Sequence, residues 1–366
     1  MTIIDKCLRL FRRPRCSSAR TETESLSTAD SSKAARVALQ KIYLPSGVFP
    51  SQFSISLGSA PCNHTCLFCP QSVSKPKQAK WLDLDLLAKM LGEMPERNIT
   101  INFSSYSETM LCPILFPALE LMKRIRPNLP TVMATNGSSV TEEKIMRLLD
   151  GGLDILSYSF DAANREDYRK LMQVDDFEKA ERNLELICAM RDKYGSKMQI
   201  LTHIMAFHNQ KDNFELFRKK WEGKVDGISF RAVTNWGEDS LKLKNRLAEN
   251  GFLPIYQMPE RRYPCTSVFM HFKIAPDGHY YPCVAYVPGD DNSDMQKYSL
   301  GDAREISFEE GWKRLAAMRE KHLNSDWNSC NHCPGCDIWG LWDDMWFEED
   351  GKFYLDDSVS AIDCWK

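Results

Sequence analysis

Six short runs rich in β-branched and aromatic residues recur between residues 53 and 233, and helical patterns fill the gaps between them. The runs are FSISLG (53–58), ITINFS (99–104), TVMAT (131–135), LDILSYSF (153–160), MQILTHIM (198–205) and DGISFRAV (226–233). Runs of this length and composition predict strands. Strands separated by helices predict a parallel sheet, because parallel neighbours need a crossover long enough to bring the chain back. Between them, DLDLLAKMLGEM (83–94) has apolar residues at helical spacing. Thr141 with Glu142 and Glu143 opens a helix, and Gly151–Gly152 closes it. In 176–194, Phe177, Ala180, Leu184, Ile187 and Tyr194 form one apolar stripe, with Gly195 just past its end. A closed barrel of this kind needs eight units. Six predict an α/β fold built as an open, partial (β/α)6 TIM-like barrel. A doubly wound sheet fits the same linear pattern, which does not say where the strand order reverses.

Beyond residue 240 the rhythm stops. Residues 255–300 are rich in Pro, Gly, Tyr and Asp, and HFKIAPDGHYYPCVAYV predicts a hairpin turning at Asp277–Gly278. A helix is expected over 305–322, followed by an end rich in cysteine and tryptophan. The expected organisation is a flexible segment over 1–45, a barrel over 46–240 and a small cysteine-rich domain over 255–366, with the boundary near 240–262. Within the first segment, a basic start with apolar spacing could lie on a membrane surface or simply fray, and residues 17–35 are a Ser/Thr-rich linker.

Composition excludes several classes. At 43% hydrophobic and 27% charged, the 366-residue chain has material for a full core, and a net charge of −3 lacks the basic excess of a nucleic-acid binder. No run approaches eighteen apolar residues, so no transmembrane helix is expected, and the charged start lacks the apolar region of a secretory signal. A cytoplasmic location is therefore expected. Thirteen cysteines are the outlier, and they cluster rather than spread. Clustered cysteines in a cytosolic chain point to metal or an iron–sulfur cluster rather than disulfides.

The first cluster, SAPCNHTCLFCPQS, places Cys62, Cys66 and Cys69 as C-x3-C-x2-C in the loop after the first strand. That edge of a parallel β/α fold carries chemistry. Three thiolates suit a soft metal or a cluster, whereas structural zinc takes four protein ligands and only His64 stands nearby. The C-x3-C-x-aromatic-C form resembles the radical S-adenosylmethionine (SAM) superfamily, and the resemblance extends over roughly residues 50–235. It implies a 4Fe–4S cluster on the three cysteines with one iron open to the amino and carboxylate groups of SAM. It also implies reductive cleavage of SAM to a 5′-deoxyadenosyl radical that abstracts hydrogen from a C–H bond, with an electron supplied by a flavodoxin- or ferredoxin-type donor. By the same resemblance, Phe68 lies beside the adenine. Glu108, in SSYSETMLCP after the second strand, contacts the SAM amino group, with Ser107 and Thr109 standing where the family commonly has Gly and Pro. Thr135-Asn136-Gly137 resembles the family's element after the third strand, and Ser159 and Asp161 end the fourth strand facing the SAM methionine and ribose.

The second set is Cys265, Cys283, Cys330, Cys333, Cys336 and Cys364, spaced C-x17-C-x46-C-x2-C-x2-C-x27-C. It resembles the C-terminal extensions of radical SAM enzymes called SPASM when complete and twitch when shortened. The resemblance implies one auxiliary 4Fe–4S cluster on Cys265, Cys283 and two of Cys330, Cys333 and Cys336. Cys330–Cys333 and Cys333–Cys336 share the C-x2-C spacing, so the final pair stays open, and zinc held by four cysteines is the rival. Cys7, Cys16, Cys112 and Cys188 are expected to bind nothing, and Cys364 could be a stray thiol.

Substrate-facing candidates lie near the ends of the fifth and sixth strands. They are His203, His208 and Arg231, nameable as proton acceptors or anion partners, and Trp236. Shortened auxiliary-cluster enzymes resemble dehydrogenases of sugar-like hydroxyls, which implies a small-molecule or carbohydrate substrate and a dehydrogenation. A peptide-modifying maturase is the alternative, and a non-enzymatic iron–sulfur or zinc scaffold is the alternative of another class.

Overall fold

The computed structural model describes residues 50–96, 99–234, 240–254, 261–286, 296–330, 333–340, 346–349 and 352–355. The N-terminal segment, Trp236, Cys7, Cys16 and Cys364 lie outside the described residues. The six expected strands are β1 (Gln52–Ser59), β3 (Thr100–Tyr106), β4 (Thr131–Thr135), β5 (Ile155–Asp161), β6 (Gln199–Met205) and β7 (Gly227–Arg231). Each pairs in parallel with the next in that order. The sheet order has β7 at one edge with no return to β1, so the barrel is open. A short strand, β2 (Lys80–Trp81), pairs antiparallel with the end of β1.

The crossover helices are α1 (Leu84–Glu93), α2 (Leu115–Ile125), α3 (Glu142–Asp150), α4 (Arg165–Met172), α5 (Phe177–Lys193) and α6 (Lys211–Trp221). Three of the six starts are fixed by side-chain caps: Asp83 accepts from the Leu86 N–H, Thr141 from Lys144 and Asn164 from Asp167. Each cap satisfies a backbone donor that the first turn leaves free.

Strand alternation sorts the two faces of the sheet. Phe53, Ile55 and Leu57, Ile101 and Phe103, Tyr158 and Phe160, and Ile200 and Ile204 face the helices and belong to one continuous core. The other face lines the barrel lumen. Its floor is apolar, with Val132, Ile155 and Leu201 packed as a separate cluster. Above it the register places Ser54 beside Asn102, Ser56 beside Ser104, Ala134 beside Ser157, Ser159 beside His203, and His203 beside Ser229. The lumen wall is therefore polar while the helix face is greasy.

The expected boundary at 240–262 does not interrupt the sheet. Helix α7 (Ser240–Glu249) is followed by the short α8 (Ser267–Met270) and by β8 (His271–Ile274), which pairs in parallel with β1. The expected hairpin at Asp277–Gly278 is β8 with β9 (His279–Tyr281), and β10 (Gly301–Asp302) extends it. Phe272 of β8 lies 4.8 Å from Phe53 of β1. Phe308, which opens α9 (Phe308–Lys313), lies 5.0 Å from Phe53 and 5.1 Å from Phe272. Aromatic pairs of this kind add about 0.5–1.5 kcal/mol each beyond the area they bury, so the two regions share one core. The single helix expected over 305–322 is two, α9 and α10 (Ala316–Leu323), and a last hairpin joins β11 (Trp346–Glu349) to β12 (Lys352–Leu355).

Candidate active site and auxiliary cysteine site

Cys62, Cys66 and Cys69 sit in one loop on the C-terminal edge of β1. Several bonds fix the loop. Gln71 donates to the carbonyls of Ala60 and Tyr106 and accepts from the Cys62 N–H. The Leu67 N–H reaches the Leu171 carbonyl at 2.8 Å, and Arg246 of α7 holds the Ser72 hydroxyl. Burial pushes the Cys66 thiol well up and Cys69 up to about 11, and the neighbouring sulfurs add to the penalty on each thiolate. Iron on the sulfurs would offset that penalty. Three soft donors on one braced loop fit a cluster that keeps one iron free of protein. His64 is turned away, buried with its Nε2 at 3.5 Å from Asp176, and is not a fourth ligand in this geometry.

The structure brings the expected SAM-contact residues to the same edge. Glu108 is buried and pinned: its carboxylate accepts from the Met110 N–H at 2.9 Å, the Asn136 N–H at 2.7 Å and the Thr135 hydroxyl. Burial raises its pKa, and those three donors pull the other way. Asn136 donates to Asn63, and Asn63 donates to Ser138 at 2.6 Å, so the turn after β4 is tied to the cysteine loop. Gly137 has φ +73°, and a Cβ there would strike the Tyr158 hydroxyl, so only glycine fits. Phe68 is half-buried against the core beside the loop. Asn63, Ser138 and Gln71 carry no motif of their own in the sequence, although Asn63 stands next to Cys62.

Ser159 and Asp161 reach the end of β5, where a bulge lies between them. Asp161 takes φ +66°, a left-handed conformation that costs a non-glycine residue energy. It is buried, and burial pushes its pKa up to about 7 against the pull of Arg231. Its Oδ1 lies 3.3 Å from His203 Nε2. Burial and the Arg231 cation hold His203 well below its usual pKa, so its ring is neutral. Arg231, at the end of β7, donates to the Ser157 hydroxyl at 3.3 Å. His203, Asp161 and Arg231 thus form one group in the lumen. His208 does not join it: it is exposed on the loop after β6, its backbone bonded to Leu253.

In the C-terminal region, Cys283 lies near Cys265, Cys333 and Cys336, and Arg262 lies near Cys265, Cys330, Cys333 and Cys336. Cys265 is raised by burial and then by Cys283 and Cys336, and Cys336 is pushed up to about 12 by burial and then by Cys283. Cys333 feels Cys330, Cys283 and Cys265. Cys330 is buried, held toward its thiolate by Cys333 and His322, and shares the Arg262 guanidinium with Cys265, Cys333 and Cys336. Arg262 donates to the Cys333 carbonyl at 2.7 Å, and its guanidinium lies 5.1 Å from the Trp327 ring centre and 5.4 Å from that of Trp339. Four sulfurs with a nearby cation fit an anionic cluster. Cys112 and Cys188 are buried elsewhere in the core.

Two family models match the chain. One, described as the radical SAM superfamily, covers residues 59–217, and one described as an iron–sulfur cluster-binding domain, SPASM, covers 265–337. The chain is a radical SAM protein with a SPASM region. Its cofactors are a SAM-binding 4Fe–4S cluster, SAM and an auxiliary iron–sulfur cluster. Over 94 residues this radical SAM chain is 30% identical to the S-adenosyl-L-methionine-dependent 2-deoxy-scyllo-inosamine dehydrogenase of Niallia circulans, which is 25% of this chain and 38% of that protein. The chain spans between 38% and 58% of the length of the curated relatives it matches. Among solved structures, SuiB of Streptococcus suis bound to precursor peptide SuiA superposes with a TM-score of 0.57 at 13% identity, covering 98% of this chain and 87% of that one. BtrN in complex with AdoMet and 2-DOIA superposes at 0.50 with 17% identity, covering 80% and 94%. At these identities the likeness is one of fold. Among the described residues, no helix is long and apolar enough to cross a membrane.

Proposed function

We propose that the chain dehydrogenates a hydroxyl-bearing small molecule of carbohydrate type, bound in the barrel lumen between the two cysteine sites. The observation that carries this reading is the lumen wall. Its serines, Asn102, His203 and Arg231 offer donors and acceptors, and the buried Ser56 Oγ, Asp161 Oδ1 and His203 Nδ1 have no hydrogen-bond partner among the described residues. Buried polar atoms are nearly always paired, so these orphans fit a ligand that brings hydroxyl groups. An apolar substrate would leave them unsatisfied at a cost of about 1–3 kcal/mol each. The similarity to the Niallia circulans dehydrogenase supports the same class.

Bound at their sites, SAM and the two clusters supply the redox chemistry: reductive cleavage of SAM, abstraction of a hydrogen atom and acceptance of one electron. A flavodoxin- or ferredoxin-type protein is the proposed electron donor. The chain's own residues do the rest. Glu108 and Asn136 orient SAM at the cysteine loop. Arg231 and the lumen serines hold the substrate hydroxyls. His203, neutral and with its Nε2 3.3 Å from Asp161, takes the proton of the oxidised hydroxyl, leaving a carbonyl. Arg231 keeps its proton at any working pH and is no base.

The test is product redox state. Reconstituted protein is given SAM, dithionite and a panel of polyols and aminocyclitols. A product oxidised by two electrons, with SAM consumed stoichiometrically, is expected. His203→Gln should still cleave SAM but make product at least about a hundredfold more slowly. An epimer or isomer of unchanged oxidation state, or turnover only with a peptide, overturns the proposal.

A further inference from the structure

His322 closes the last turn of α10 and is fully buried. Its Nδ1 accepts the backbone N–H of Cys265 at 3.1 Å. A ring nitrogen that accepts from an amide carries no proton, so in the neutral ring the proton sits on Nε2. Nε2 lies 3.5 Å from the Cys333 sulfur, within hydrogen-bond range for sulfur. The ring thereby bridges two cysteines that are 68 residues apart in sequence. Trp327 packs edge-on against it, with ring centres 5.6 Å apart, and holds its orientation. Cys330 stands in the same pocket, so that the donor atoms of His322, Cys330 and Cys333 lie within 4.8 Å of one another.

We infer that His322 is a redox-positioning residue of the auxiliary site, donating an N–H···S bond to Cys333 and setting the potential of the cluster there. The inference rests on Cys265, Cys283, Cys333 and Cys336 holding that cluster. A hydrogen bond to a ligating sulfur stabilises the extra negative charge of the reduced cluster and raises its reduction potential. Cys333 is also gripped at its carbonyl by Arg262, so the sulfur presented to His322 is fixed from both ends. The consequence is a better electron acceptor at the auxiliary site. The bond to Cys265 makes the tautomer a property of the fold, since the amide that selects it belongs to another ligand of the same cluster.

The experiment uses the full chain carrying Cys62→Ala, Cys66→Ala and Cys69→Ala, so that only the auxiliary site binds iron. After anaerobic reconstitution, iron content and an electron-paramagnetic-resonance redox titration are measured. His322→Asn places an oxygen near the Nδ1 position and keeps the Cys265 contact while removing the donor to Cys333. His322→Gln places an amide N–H near the Nε2 position and keeps that donor. The Asn variant is expected to hold about four irons with a lowered potential, and the Gln variant to stay near the parent. A tenfold fall in the reduced-to-oxidised ratio at fixed potential, about 59 mV for one electron, is the expected scale. Equal potentials in all three proteins overturn the inference. Loss of iron from both folded variants overturns it too, because His322 would then be a ligand. A parent that binds zinc and no iron refutes the auxiliary-cluster assignment itself, which is a separate failure.

Discussion

The two cysteine sites are built in opposite ways. The first is one loop of eight residues, Cys62 to Cys69, hung from the end of a strand and braced by its neighbours. The second is assembled from three separate stretches: Cys265 ahead of α8, Cys283 after β9, and the turn from Cys330 to Cys336. A site on one loop can form as soon as the loop's strand is in place. A site drawn from distant stretches exists only when the sheet extension, α10 and the final turn have all docked. The first site also offers three sulfurs and the second offers four with a fifth beside them. On the function proposed above, the first leaves a coordination position for SAM, and the second holds the cluster that accepts the electron.

The largest expected effect comes from removing one site and not the other. Cys62→Ala, Cys66→Ala and Cys69→Ala together should abolish SAM cleavage and remove about four irons per chain. Cys283→Ala should remove a similar amount of iron and still cleave SAM to 5′-deoxyadenosine, now without forming oxidised product. Within the second site, Cys336→Ala should lose the auxiliary iron while Cys330→Ala keeps it, because Cys336 stands near both Cys265 and Cys283 whereas Cys330 is engaged chiefly by Cys333 and His322. Iron analysis with 5′-deoxyadenosine quantification reads all of these. SAM cleavage lost equally in both sets, or iron lost with Cys330 alone, would break the division of labour.

An effect of middle size is expected at Glu108. Three donors already hold this carboxylate, so Glu108→Gln replaces an acceptor with a group that cannot satisfy all three. A hydrogen bond to a charged group is worth about 1.5–3 kcal/mol, which is about 10- to 100-fold in affinity. SAM binding measured by calorimetry should weaken by that factor while iron content stays at the parental value. Unchanged affinity would remove Glu108 from the SAM site and leave it as a brace between the turn after β3 and the turn after β4.

These contrasts also explain what the sequence discloses and what it hides. The six strands, the helix start at Thr141 and the hairpin at Asp277–Gly278 all follow from local pattern, and the structure has each of them. The contiguous cysteine loop was legible for the same reason. The polar lumen was present as well, in the alternation of FSISL and LSYSF, where every second residue is serine. Read as uniformly buried strands, those serines carried no message, yet they mark the face that lines the cavity. The parallel pairing of β8 with β1 joins segments 219 residues apart, Gln52 with His271, and no local pattern encodes it. His322 was invisible in the same way: nothing in KHLNSD distinguishes it from a helix-end histidine.

The smallest expected effect lies at the seam between the two regions. His271 on β8 faces Ser54 on β1, with its Nε2 2.8 Å from the hydroxyl. Burial, and then the Lys273 cation, lower its pKa from 6.5 to about 3. As pH falls, the unfolded chain therefore takes the proton before the folded one does. Stability from the neutral ring is whole above pH 6.5 and drains away toward pH 3, at about 1.4 kcal/mol per pH unit. His271→Gln can keep the contact with Ser54 and removes the titration. In urea unfolding of the apoprotein, the variant should lose about 2 kcal/mol less than the parent between pH 7 and pH 5. The parallel β8–β1 pairing would then be the acid-sensitive joint that holds the auxiliary site against the barrel. A stability difference that stays constant between the two pH values would mean that this histidine is already hydrated, and that the seam is looser than the packing of Phe53 on Phe272 implies.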